Sequence, residues 1–293
     1  MSGDLIDGDV HIVAESLMRA WLDHAGSTYQ DRELHARNNE TRRSAILDAR
    51  NARWAEAVLA LANAEPTNSR WTTRAMELTD LTFHAAAVAY IRYRQGDELG
   101  ARDKLRMALD TDVALMERWG IAEAEAHYIH ILENGVRVRA RFGDVTGAAR
   151  EILKLLLHLE GQQDSGVHLS ALKALRLVES GQMWDAIQIS MIECLSYVVE
   201  LDLERVLDVL ANEYLVTAEQ ADDSICCPIA HRHIRALIKM PQAKGEMDQL
   251  VSVLPALSKR SRSVLAAALG RRSTRSALLS NAAAAASDIG MLS

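Results

Sequence analysis

Glu123, His127, His130 and Asn134 recur at i, i+4, i+7 and i+11, which puts all four on one face of a helix expected over 121–142. Two imidazoles and a carboxylate form a donor set for a transition metal. The spacing is His-x-x-His, however, not the His-Glu-x-x-His of zinc peptidases, and the Glu-x-x-His of di-iron bundles does not occur. Semi-buried imidazoles that pack and hydrogen bond account for the same pattern. A second concentration of reactive side chains lies at 222–233, Asp-Asp-Ser-Ile-Cys-Cys-Pro-Ile-Ala-His-Arg-His. A helix starting at Pro228 would place Cys227 and His231 on one side and a thiol near a helix N-terminus, where the thiolate is stabilised. No Cys-x-x-Cys pair is present to close a zinc site, and a capped helix start with inert thiols explains these residues equally. Phosphate-cradling Gly loops, Gly-x-Ser-x-Gly and kinase signatures are absent. We therefore assign no cofactor, no metal and no catalytic residue. Glu123, His127, His130, Cys227 and His231 are what an all-α metal-dependent enzyme or metalloprotein, the alternative reading, would have to use.

The elements that position these residues are helical. The 293 residues are 49% hydrophobic and 25% charged but only 4% aromatic, so Leu, Ile, Val, Met and abundant Ala must do the packing, which favours helices over strands. Four prolines leave a Pro-free run from Thr67 to Cys227, and apolar spacing follows i, i+3, i+4 nearly throughout. Helices are expected at 9–25, 31–64, 70–95, 97–118, 121–142, 144–160, 166–180, 182–200, 202–216, 228–240, 243–257 and 259–270. The breaks suggest an N-terminal helical segment at 1–66, helical repeats at 67–216, C-terminal helices at 217–270 and a mobile basic and Ala-rich tail at 271–293.

A formal charge of −7 gives the chain no general attraction to nucleic acid, and none is expected as a partner. From Gln249 to Ser287 there is no acidic residue, while Lys259, Arg260, Arg262, Arg271, Arg272 and Arg275 make a basic stretch behind an acidic body. No aromatic residue interleaves those arginines, so base stacking there is not expected. Packing of that stretch on the acidic body of a neighbouring copy is a third reading, a self-assembling structural protein and homo-oligomer. Cys194, Cys226 and Cys227 are too few for a disulfide framework, and the acidic N-terminus lacks the basic start of a signal peptide. A cytoplasmic setting is expected. The longest charge-free stretch, Ser276–Ser287, is shorter than the ~18 apolar residues of a membrane helix, so no integral membrane insertion is expected.

One turn recurs: Gln95-Gly96-Asp97-Glu98-Leu99-Gly100-Ala101, Phe142-Gly143-Asp144-Val145-Thr146-Gly147-Ala148, and more loosely Ser180-Gly181-Gln182-Met183-Trp184-Asp185-Ala186. The first Gly ends one helix in the left-handed conformation, the next polar residue caps the following helix, and the Ala keeps that helix thin where the two cross. With Ala89-Tyr90-Ile91-Arg92-Tyr93-Arg94 leading into the first turn and Ala101, Leu105, Ala108 and Leu109 following it, the segment resembles the turn and second helix of a tetratricopeptide repeat. The likeness spans about 75–200. It departs from the family in its glycine spacing of 47 and then 38 residues, and in lacking the closing Pro and the Trp-Leu-Gly signature.

The resemblance implies an all-α fold of about 11–12 helices, stacked antiparallel hairpins forming a TPR-like α-solenoid. It implies that the first helix of each pair lines a groove for a partner peptide or helix. The groove positions are Phe83, Tyr90, Tyr93 and Arg94, then His130, Glu133, Arg137 and Arg141, then His168. Arginines with tyrosines suit an acidic segment or a C-terminal carboxylate. The expected function is a non-catalytic, soluble, intracellular scaffold for protein binding, with an immunity protein or a chaperone for a toxin or effector as one specialised form.

Overall fold

A computed structural model describes residues 15–65, 70–159 and 182–214, and no strand occurs among them. Helix α1 (15–24) is followed by α2 (Tyr29–Arg50), α3 (Trp54–Asn63), α4 (Arg74–Gln95), α5 (Glu98–Trp119) and α6 (Ala124–Arg141). Then come α7 (Val145–Leu159), α8 (Gln182–Leu201) and α9 (Leu203–Val209), which runs into a π-helical turn at Leu210–Tyr214. No helix among the described residues is long and apolar enough to cross a membrane. The helices expected at 166–180 and beyond 228, the turn at Gly181 and the C-terminal tail lie outside the described residues.

The single helix expected over 31–64 is corrected: the chain reverses between α2 and α3. The Ala52 and Arg53 amides donate to the Ala49 and Asp48 carbonyls at 3.2 and 2.9 Å, closing the helix in a Schellman arrangement. Ala52 sits there at φ 58, a conformation that favours Gly, and its methyl group costs about 1–2 kcal/mol. The bond from the Arg53 side chain to Asp48 helps hold the corner.

At the repeated turn, sequence and geometry agree. Gly96 and Gly143 adopt φ 85 and φ 83, and the amides of Asp97 and Asp144 each donate at 3.0 Å to the carbonyls of Arg92 and Arg139. The Asp97 carboxylate accepts from the Gly100 amide at 2.9 Å, and Asp144 accepts from Gly147 at 2.8 Å. Each aspartate also takes an arginine from the preceding helix, Arg92 at 3.3 Å and Arg139 at 2.8 Å. A Cβ on Gly100 or Gly147 would run into the capping carboxylate, which explains the second Gly of the pattern. The duplicated unit is therefore Arg-x-x-x-Gly-Asp-x-x-Gly-Ala.

The chain divides into two compact units; among the described residues these are 15–65 with 70–138, and 139–159 with 182–214. In the first, α4 is buried on several sides and packs against α2, α3 and α5. One apolar cluster joins Trp21 and Ala25 to Trp71, Met76, Leu78, Leu115 and Ile121. Another joins Ala45 and Ala49 of α2, Ala57 and Leu61 of α3, and Ala87 and Ile91 of α4, where small side chains let the three helices approach closely. In the second unit, α7 buries Ala148, Ala149, Ile152, Leu155, Leu156 and Leu159 at helical spacing, alongside buried Met191, Ile192, Leu195 and Val198 of α8 and Val206 and Val209 of α9. An Arg150–Glu213 ion pair at 3.2 Å ties α7 to the π-helical turn.

Candidate functional site

The α2–α3 corner and the C-terminal half of α4 bring together Arg50, Tyr90, Tyr93 and Arg94. Arg50 is the last residue of α2, and its Nε donates to the Tyr90 hydroxyl at 3.2 Å while its guanidinium lies 5.8 Å from the Tyr90 ring centroid. Arg94, one turn beyond Tyr90 on α4, donates to the same hydroxyl from Nη1 at 3.4 Å and to the Arg50 carbonyl from Nη2 at 3.5 Å. The Tyr93 ring stands 6.2 Å from that of Tyr90. Two cationic groups thus converge on one neutral oxygen, and neither has a carboxylate partner among the described residues. The carbonyl end of α2 offsets part of this charge. Tyr90, Tyr93 and Arg94 come from the sequence reading; Arg50 does not. It arrives from 40 residues away through the α2–α4 packing, and no spacing rule points to it.

The α6 residues proposed alongside them behave differently. Arg137 is drawn to its own helix, 3.8 Å from Glu133 and 3.1 Å from the Asn134 side-chain oxygen, and Glu133 is buried. His130 reaches water but is walled in by protein, and this partial desolvation, with His127 and Arg137 nearby, lowers its pKa to about 4. Arg141 belongs to the second unit, and His168 lies outside the described residues.

The face that suggested a metal is divided among separate partners. Glu123 pairs with His24 of α1 at 2.9 Å, and His127 Nδ1 pairs with Asp112 of α5 at 2.9 Å. The rings of His127 and His130 have centroids 6.5 Å apart, wider than the ~5 Å of two imidazoles sharing a tetrahedral ion at ~2.0 Å. No three His, Cys, Asp or Glu side chains among the described residues form a metal-binding group. Cys227 and His231 lie outside them.

The inward face of α2 is polar where a core helix ordinarily is apolar. Asp31, His35, Asn38 and Arg42, at i, i+4, i+7 and i+11, are buried ahead of Ala45 and Ala49. Asp80 of α4, with no exposed surface, accepts from His35 Nδ1 at 3.0 Å, from Asn38 at 3.1 Å and from Arg42. Asn39 accepts from Arg42 at 2.8 Å and lies 2.8 Å from His35 Nε2, so the arginine orients the amide and the amide sets the imidazole tautomer. Burial disfavours the Asp80 carboxylate, but the His35 hydrogen bond and the Arg42 charge outweigh it and hold its pKa below the ordinary carboxylate value. Neighbouring His84 is lowered as well, but there the neutral form is favoured: desolvation first, then the Arg42 charge, brings its pKa to about 4. At the far end of the helix, Asp31 accepts from Thr28 and Thr72, fastening the start of α2 to the approach to α4.

Asp112 contrasts with Asp80. It is buried, its ionic partner among the described residues is His127, and one of its carboxylate oxygens has no hydrogen bond among them, so desolvation raises its pKa. A raised folded-state pKa contributes stability that is present below the ordinary carboxylate value and lost as pH rises through the folded value. Asp112→Asn is therefore expected to change stability at pH 7 by no more than about 1 kcal/mol, because the Asn oxygen still accepts from His127 and a buried charge is removed. Urea unfolding at pH 7 checks this. A loss of several kcal/mol would show the charge itself to be needed.

No family model, curated protein or solved structure matches this chain.

Proposed function

We propose that this chain is a tetratricopeptide-like helical module that binds an acidic segment of a partner protein, without catalysis, through Arg50, Tyr90, Tyr93 and Arg94. An immunity protein or a chaperone that neutralises a toxin or effector is the specialised form of this reading. The observation that carries it is the meeting of two guanidinium groups on the Tyr90 hydroxyl, neither with a carboxylate partner among the described residues. Like charges held together oppose each other, and a carboxylate placed between them would relieve that repulsion and gain charge-assisted hydrogen bonds from both. Tyr90 and Tyr93 add apolar area with a polar edge, which suits a peptide lying along the cluster. The repeated Gly-Asp turns support the repeat reading, since one device ends a helix and caps the next at both places.

The test is fluorescence anisotropy with a labelled acidic peptide, against the same peptide with Gln and Asn at each acidic position. Binding of the acidic peptide alone, weakened by salt and at least tenfold by Arg50→Gln with Arg94→Gln, is the expected result. Equal binding of both peptides, or an unchanged affinity in the double variant with its circular dichroism intact, would overturn the reading.

A further inference from the structure

Helix α3 is apolar on two opposite faces. Ala57 and Leu61 pack on α2 and α4, while Ala55, Val58, Leu59 and Ala62 are exposed at i, i+3, i+4 and i+7. Val58 and Leu59 are 52% and 64% exposed, among the most exposed large apolar residues of the chain. A helix that carries apolar side chains on two opposite faces is normally covered on both. We propose that a second copy of this chain covers this face, the two α3 helices packing antiparallel about a two-fold axis.

The order of side chains favours a second copy over an unlike partner. The stripe reads Ala-x-x-Val-Leu-x-x-Ala, symmetric about the point between Val58 and Leu59. Antiparallel pairing about that point sets Ala55 against the partner's Ala62 and Val58 against the partner's Leu59. Bulk meets bulk at the centre, and the small ends let the helices approach. Charge agrees with the same register. Exposed Arg53 precedes the stripe and exposed Glu65 follows it, so the two-fold brings Arg53 beside the partner's Glu65 twice. Glu65 makes no ion pair among the described residues, and Arg53 is 54% exposed while bonded to Asp48. One helix of ten residues spans about 15 Å, too short to bury by itself the ~800 Å² per partner of a stable interface. The dimer is therefore weak and forms with rising concentration.

Sedimentation equilibrium of the full chain over a wide loading range tests this. The mass is expected to climb from 32.3 kDa towards twice that value. Leu59→Glu should hold it at the monomer at every loading, and so should Arg53→Glu over most of the range. Combining Arg53→Glu with Glu65→Arg should restore the wild-type curve. A wild type that stays monomeric overturns the proposal and leaves the stripe to an unlike partner. Association that survives Leu59→Glu, or a charge swap that restores nothing, overturns it as well. Arg50→Gln with Arg94→Gln should leave the mass curve unchanged, which separates this face from the peptide cluster.

Discussion

Asp80→Asn is expected to cost the first compact unit about 3–5 kcal/mol, because it leaves the buried Arg42 guanidinium without its counter-charge. Both side chains are nearly or fully excluded from water, so solvent cannot take over the role of the carboxylate. His35 and Asn38 share this acceptor with Arg42, and the Asn amide offers one acceptor oxygen where the carboxylate offered two, while its NH2 can only donate. Urea unfolding followed by tryptophan fluorescence at pH 7 measures the loss. A cost under about 1 kcal/mol would mean that the network is tolerated and not needed. Arg42→Met added to Asp80→Asn should recover the part of the loss that comes from the unpaired guanidinium, while the part that comes from the weakened acceptor of His35 and Asn38 remains. The pH dependence follows from the same residue. Its folded pKa lies below the ordinary value, so its stabilisation is complete above about pH 4 and is lost as pH falls through the lowered folded value. The wild type should therefore weaken on acidification in that window, and Asp80→Asn should show a smaller slope there.

Trp21→Ala is expected to cost about 3–5 kcal/mol, the usual range for removing a large aromatic from a close-packed core. Trp21 is 2% exposed and sits 5.4 Å from Phe83 and 6.2 Å from His127, ring to ring. Its Nε1 donates to Thr79 at 2.9 Å, and that threonine is buried on α4. Trp21 therefore joins α1 to α4 both by packing and by one directed bond. Trp21→Phe separates the two: it keeps an aromatic ring near Phe83 but leaves the Thr79 hydroxyl without this donor, and should cost about 1–3 kcal/mol. Equal losses in the two variants would show that the hydrogen bond dominates. Denaturant midpoints of both variants decide the point.

Most helix positions among the described residues are legible in the sequence because apolar residues recur at the helical period between recognisable breaks. The turns at Gly96 and Gly143 are the clearest cases, since a left-handed residue and a capping aspartate occur together. The α2–α3 reversal is not legible, because its left-handed position holds Ala52, a good helix former, so local propensity argues for a continuous helix. The interior of α2 is equally hidden. His35, Asn38 and Arg42 look like a solvated face until Asp80 is placed opposite them, and that placement is a tertiary fact. The same applies to the peptide cluster, where Tyr90 and Arg94 share a helix but Arg50 joins them only through packing. His127 and His130 do share helix α6, but Glu123 lies in the turn just before it, and neighbours from α1 and α5 take Glu123 and His127 separately.

The character of what α2 conceals also bears on what happens when the protein opens. Detaching this helix would uncover mainly aspartate, histidine, asparagine, arginine and two alanines, with Leu34 and Ile46 beside them, instead of a continuous greasy strip. Such a surface hydrates readily and offers strangers little to stick to. Transient opening of the α2 side should therefore be reversible and free of clumping, so that the chain refolds cleanly where a leucine-lined helix would have been trapped by its neighbours.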